Sequence, residues 1–191
     1  MMSGHSTEYL FLEIKDTGKY GKGVFATKNI MQGSVIHVLN GETITLKGLV
    51  HRIVTGQESI NDPLQVGKRT YIDLDGFSIS FNHSCNPNAG IRKRSELFAL
   101  RPIGGGEEIT YDYSVTIAPT VWQMKCNCGS KNCRKVLGDV RSIPKRQLSI
   151  YMALGAIQGY MKACLKRPPL EIPKYEIAAL NVIFKTSEHP K

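Results

Sequence analysis

Four of the five cysteines fall in two places, and their spacing constrains the fold more than any other feature of the chain. Cys126, Cys128 and Cys133 form a C-x-C-x4-C cluster, and Cys85 stands upstream in Phe81-Asn82-His83-Ser84-Cys85-Asn86-Pro87-Asn88. Four thiolates can close a tetrahedral zinc shell with no open position. The short C-x-C loop cannot reach around an ion, so it supplies three ligands at most. Cys85 is the best candidate for the fourth. Cys164 is the alternative, but it sits on an apolar helical stripe and reads as a small core residue. A structural Zn2+ held by Cys85, Cys126, Cys128 and Cys133 is favoured over four unligated buried thiols. Such an ion pins a late loop onto an earlier turn.

The odd cysteine count and the lack of an apolar leader favour an intracellular, reducing compartment over a disulfide framework. A chain of 191 residues, 41% hydrophobic, supports one domain with a real core and room for a small appendage. No run is long enough to span a bilayer, so no membrane partner is expected. The net charge of +9 is uneven. Residues 141–191 hold 9 Lys+Arg against 3 Asp+Glu, and the remainder holds 16 against 13. A weak nucleic-acid contact through this basic C-terminal part is one reading. A solvated helix face is the favoured one, because no aromatic interleaving offers a stacking platform.

The body reads as mainly β with a helical C-terminal part. Strands are expected at 9–14, 24–26, 35–39, 70–73, 77–79, 97–100 and 109–111. Asn40-Gly41 is a strong turn signal after the third of these. Residues 46–55 suit one or two helical turns. From Lys145 to Lys166, apolar residues recur at Leu148, Tyr151, Leu154, Ile157, Met161 and Leu165 with helical period. Ser142 suits the N-cap, Pro144 the first turn, and Pro168-Pro169 the end. Ile177, Leu180, Ile183 and Phe184 suggest a last short helix. The stripe reads as core packing against the β body.

Two further segments can carry chemistry. The polar run from Asn82 to Asn88 is either a turn stitched to backbone or a ligand cradle, since buried polar groups need partners. Taken alone, His83 reads as a structural histidine. In Gly106-Glu107-Glu108-Ile109-Thr110-Tyr111-Asp112-Tyr113, two tyrosines at i, i+2 on an extended strand face one side. They line a narrow channel, or they hold their tips in water; spacing does not separate these.

Taken together, these motifs resemble the SET-domain protein lysine methyltransferases. Gly21-Lys22-Gly23-Val24-Phe25-Ala26 is similar to the family's N-terminal glycine loop. Phe81 to Asn88 carries the Asn-His-Ser-Cys-x-Pro-Asn signature. Gly106 to Tyr113 resembles its Gly-Glu-Glu-Leu-Thr-Tyr-Asp-Tyr partner, with Ile109 for leucine, and Cys126 to Cys133 resembles the post-SET zinc loop. The resemblance covers about residues 10–140. It implies a SET-domain fold, a set of small β-sheets with knot-like threading, plus a post-SET zinc loop. The implied division is a SET domain at 1–117 with a short insert at about 43–70, the zinc loop at 118–140 and a helical extension at 141–191.

The resemblance also implies a function. S-adenosyl-L-methionine would be held by Tyr20, Gly21, Lys22, Gly23, Asn82, His83 and Tyr113. Tyr113 would be the catalytic tyrosine, and Tyr111 would tune how many methyl groups a lysine accepts, with mono- and dimethylation favoured. The expected substrate is a lysine-containing protein, with a histone or nucleosome first and a non-histone basic protein as the alternative. A catalytically inactive zinc-stabilised binding module is the other alternative. Nuclear placement is expected in a eukaryote. The sequence departs from the family at Leu39, where a channel tyrosine is common, and at Ser80, where an arginine is common. It departs again at Lys135, where glycine often follows the arginine.

Overall fold

The computed structural model describes residues 11–19, 21–59, 61–118 and 122–166. Among these residues the strands form five small sheets. Strands β1 (Leu12–Asp16) and β2 (Lys22–Ala26) form an antiparallel pair. Strand β3 (Val35–Val38) is followed by β4 (Gly41–Thr45), yet the two belong to different sheets. The turn expected at Asn40-Gly41 is a switch between sheets. Gly41 has φ +155°, and a Cβ there would sit 1.8 Å from the Asp73 carbonyl oxygen. Only glycine lets the chain pass that backbone.

Helix α1 (Leu46–Val54) starts where the Thr45 hydroxyl accepts the Gly48 N–H at 3.2 Å, an N-cap. It buries Leu46, Leu49 and Ile53. Strands β5 (Leu64–Gly67) and β6 (Thr70–Leu74) complete the sheet β4-β6-β5. The strand expected at 77–79 is instead a 3-10 turn at Ser78–Ser80. Asp75 causes this: its carboxylate accepts the Phe77 and Ser78 N–H groups and curls the chain.

Strand β7 (Asn82–His83) leads to β8 (Ala89–Arg92) and β9 (Glu96–Ala99), which form the sheet β3-β9-β8. Strand β10 (Thr110–Tyr111) then returns to lie parallel to β7. A parallel pair cannot be closed by a tight turn, so the whole β8–β9 hairpin serves as its crossover. This brings the Asn82-His83 motif beside Tyr111. Strands β11 (Met124–Lys125) and β12 (Val136–Leu137) bracket the thiol loop.

The single C-terminal helical stripe is two helices, α2 (Lys145–Ala153) and α3 (Gly159–Leu165). Gly155, at φ +72°, ends the first. Ser142 lies in a preceding 3-10 turn, and Pro144 is the cap. Tyr151, Ile157, Met161 and Cys164 pack with Phe98, Leu100, Val115 and Val140 in one apolar cluster. The stripe is core, as the sequence suggested, except that Leu154 is exposed. The Pro168-Pro169 stop and the helix expected around Ile177 lie outside the described residues.

Gly41→Ala should lower stability by at least the roughly 1–3 kcal/mol of a strained residue, since β6 must also move. A urea melt with an unchanged midpoint would show that the Gly41–Asp73 approach is not required.

Candidate functional site

The site gathers around the carboxyl end of β10. Only Thr110 and Tyr111 are strand; Asp112 then caps a 3-10 turn starting at Tyr113, its carboxylate accepting the Ser114 N–H at 3.1 Å. The turn folds Tyr113 back towards Tyr111, with ring centroids 4.9 Å apart and planes at 49°. Both phenols are enclosed rather than tipped into water. Burial raises both above the ordinary phenol range, with the neighbouring Asp62 carboxylate adding to it. Each therefore stays protonated at neutral pH. The Tyr113 hydroxyl donates to the Phe81 carbonyl at 2.9 Å. Its proton is thus directed away, and its lone pairs remain to accept from a cation. Leu39 is fully buried in the main core, so it adds no polar wall.

The glycine loop lies alongside. Backbone bonds from Ala26 N–H to Glu107 O (3.0 Å) and from Ile109 N–H to Val24 O (2.8 Å) lash β2 to the Glu107–Ile109 segment. The Asn82 amide donates to Lys22 O at 3.0 Å and to Glu108 Oε1 at 2.8 Å. A Cβ on Gly23 would lie 2.5 Å from Glu108 Oε1 and 2.9 Å from Asn82 Nδ2. Glycine is what lets Lys22-Gly23 approach this amide and carboxylate. Gly21, at φ +76°, has open space where a Cβ would be. Backbone groups, an amide and a carboxylate there match a ligand that carries a cationic amine. Tyr20 lies outside the described residues. Lys19 Nζ donates to Asn127 O at 2.9 Å, so the glycine loop touches the thiol loop.

The thiols converge. Cys85 Sγ lies 3.8 Å from Cys126 Sγ, and Cys133 Sγ lies 3.7 Å from it. A tetrahedral ion with metal–sulfur bonds of about 2.3 Å spaces its sulfurs about 3.8 Å apart. Ligand atoms of Cys85, Cys126, Cys128 and His83 all fall within 4.8 Å of one another. Burial pushes the Cys85 and Cys126 thiols up, an environment that asks for a cation before they ionise. Burial also opposes ionisation of Cys128, but donors from Ser130 and the Cys85 N–H hold it down at about 6. The donor set fits zinc. Trp122 and Leu137 pack on the cluster, with Tyr113 against it. Trp122 Nε1–H also donates to Asn61 Oδ1 at 3.2 Å, tying the insert to this wall.

Sequence reasoning missed the polar pivot of the site. Asp112 is 2% exposed. Its Oδ1 accepts from Arg134 Nη2 at 2.5 Å, and its Oδ2 accepts from the Tyr151 hydroxyl at 3.2 Å. One carboxylate thus joins the tyrosine turn, the thiol loop and helix α2. The signal was present: a charged residue between two tyrosines, and an arginine directly after a ligand cysteine. Asn88 was also missed as a splint. It donates to Glu107 Oε1 and Glu108 O and accepts the Thr110 N–H at 2.9 Å.

Residues 21–114 match the family described as SET domain. The histone-lysine N-methyltransferase 2B of Homo sapiens is 33% identical over 138 residues, covering 62% of this chain and 5% of that protein. An H3 lysine-36 specific histone-lysine N-methyltransferase of Yarrowia lipolytica is 31% identical over 175 residues, covering 83% of this chain and 23% of that protein. The structure of KRYPTONITE with mCHH DNA, an H3(1-15) peptide and SAH superposes with a TM-score of 0.52 at 26% identity, covering 66% of this chain and 29% of that one. The methyltransferase domain of human SETMAR shares the fold at a TM-score of 0.54 and 24% identity, covering 67% and 58%. The chain carries a SET domain, and its relatives are histone-lysine methyltransferases by name. It spans less than a third of the length of these curated relatives.

Metal analysis of protein purified without chelator should return one zinc per chain, and Cys126→Ser should lose it with a fall in thermal midpoint. Zinc-free wild type with an unchanged midpoint would exclude the ion.

Proposed function

We propose that the chain is an S-adenosylmethionine-dependent protein-lysine N-methyltransferase, acting first on a histone. The observation that carries this reading is the buried Tyr111–Tyr113 pair, with its phenol proton turned onto Phe81 O, set between the glycine loop and the thiol wall. The methyl donor would supply an electrophilic methyl on a sulfonium. Tyr20, Gly21, Lys22, Gly23, Asn82, His83 and Tyr113 would hold it. Cys85, Cys126, Cys128 and Cys133 would hold a structural zinc that keeps the wall shut.

The residues answer a specific chemical need. A lysine amine with a pKa near 10.4 loses about 4.6 kcal/mol to reach its neutral form at pH 7. A dry channel lowers that cost by desolvating the ammonium. Tyr113, with its lone pairs free, would accept from the amine and fix its approach line. The packed ring of Tyr111 narrows the same space. It would leave no room for a third methyl group, which favours mono- and dimethylation.

The relatives' names support a nuclear place and a histone substrate for this chain. No helix among the described residues is long and apolar enough to cross a membrane. The basic residues of 141–191 would give at most weak nucleic-acid contact. The division at 117 and 140 remains the proposed one, with α2 bracing the tyrosine turn through Tyr151.

Radiolabelled methyl donor with core histones or nucleosomes is the direct test. Label should enter one histone as mono- and dimethyl-lysine, and Tyr113→Phe should lower turnover by about 10²-fold or more. Donor binding with no label on histones would reject the reading, and trimethyl-lysine as the main product would reject the Tyr111 argument.

Turnover should also rise with pH. Below the substrate amine's pKa, each pH unit gives about tenfold more neutral amine. Tyr113, raised above its ordinary range by burial, stays protonated throughout and adds no bend. A fall in kcat/KM between pH 7 and 9 with folded enzyme would contradict this.

A further inference from the structure

The function above counts His83 among the residues that would hold the methyl donor and does not use the contacts of its ring with the thiols. That ring is 6% exposed and wedged between the tyrosine turn and the thiols. The Tyr113 N–H donates to its Nδ1 at 3.2 Å. Nδ1 therefore presents a lone pair, and a neutral imidazole that accepts at Nδ1 keeps its proton on Nε2. That nitrogen lies 3.3 Å from Cys85 Sγ. Asp112 Oδ1 does not compete for Nδ1. It is 3.7 Å away, and it accepts from Arg134 and from the Ser114 N–H instead. The Arg134 N–H gives Cys85 Sγ a second donor at 3.4 Å.

We propose that His83 is a positioning residue, a relay from the Tyr113 N–H to the Cys85 sulfur, and not a ligand of the metal. This rests on the zinc reading above. A ligand role would need the Nε2 lone pair. The proton would then sit on Nδ1, facing the Tyr113 N–H donor to donor. Cys133, with its sulfur 3.7 Å from that of Cys126, would take the fourth position instead. The relay makes metal occupancy felt at the backbone of the residue whose phenol lines the channel. Outer partners of metal ligands orient them and tune their charge. Here the outer partner also holds the tyrosine turn.

Two substitutions separate the halves of the relay. A glutamine amide nitrogen reaches about as far as Nε2, so His83→Gln keeps a donor for Cys85. An asparagine oxygen reaches about as far as Nδ1, so His83→Asn keeps an acceptor for the Tyr113 N–H and loses the donor. Zinc transfer from the full chain to a competing chromogenic chelator reads the difference with no methyl donor present, so the result stands apart from the methyl-transfer reading. His83→Gln should hold zinc nearly as well as wild type, and His83→Asn should lose about 10–100-fold in affinity. Long-range proton–nitrogen correlation spectra of the zinc-loaded wild type should find the His83 proton on Nε2. A proton on Nδ1, or equal zinc loss in both variants, overturns the relay. Wild type that holds no zinc overturns the metal reading and the relay with it.

Discussion

The Cys126 sulfur stands 3.8 Å from that of Cys85 and 3.7 Å from that of Cys133, with Cys85 and Cys126 buried. Burial raises the thiols of Cys85 and Cys126, so bare thiolates there would repel one another with little water to screen them. A divalent cation reverses the sign of that arrangement. Pinning the thiol loop to the Asn-His-Ser-Cys turn also fixes where Trp122 and Leu137 pack, and Tyr113 packs against the same cluster. The packing around Tyr113 is therefore tied to the thiol corner.

Asp112 carries the second coupling. Its side chain is nearly inaccessible, and it accepts from two segments distant in sequence, Arg134 of the thiol loop and Tyr151 of α2, as well as from Ser114 of its own turn. Removing one partner of such a buried pair typically costs about 3–5 kcal/mol, because the remaining charge is left uncompensated. The C-terminal helices thus do more than cover apolar surface. Helix α2 presents the Tyr151 hydroxyl to the carboxylate that separates the two tyrosines.

Much of the site was legible in the residues. The thiol spacing pointed to Cys85 as the partner of the late cluster, and the sulfurs do converge. The i, i+2 tyrosines pointed to a shared wall, although Tyr113 reaches it through a 3-10 turn and not along a strand. The errors have physical causes. The strand expected at 77–79 was lost to Asp75, whose side chain competes for backbone N–H groups. The long helix was cut at Gly155, where a left-handed residue outweighs periodicity. A turn signal such as Asn40-Gly41 does not say which strand comes next, and here the chain switches sheets.

What the sequence determined by itself is the set of local commitments: which residues can ligate a metal, which stripe is apolar, where the chain must turn. These follow from side-chain chemistry and short-range geometry. What only the tertiary structure decided is which of those pieces meet. The parallel pairing of β7 with β10 sets His83 beside Tyr111, and the return of the chain through β12 brings Arg134 to Asp112. Such pairings depend on loop closure across 20 or more residues, and no local pattern encodes the partner at the far end.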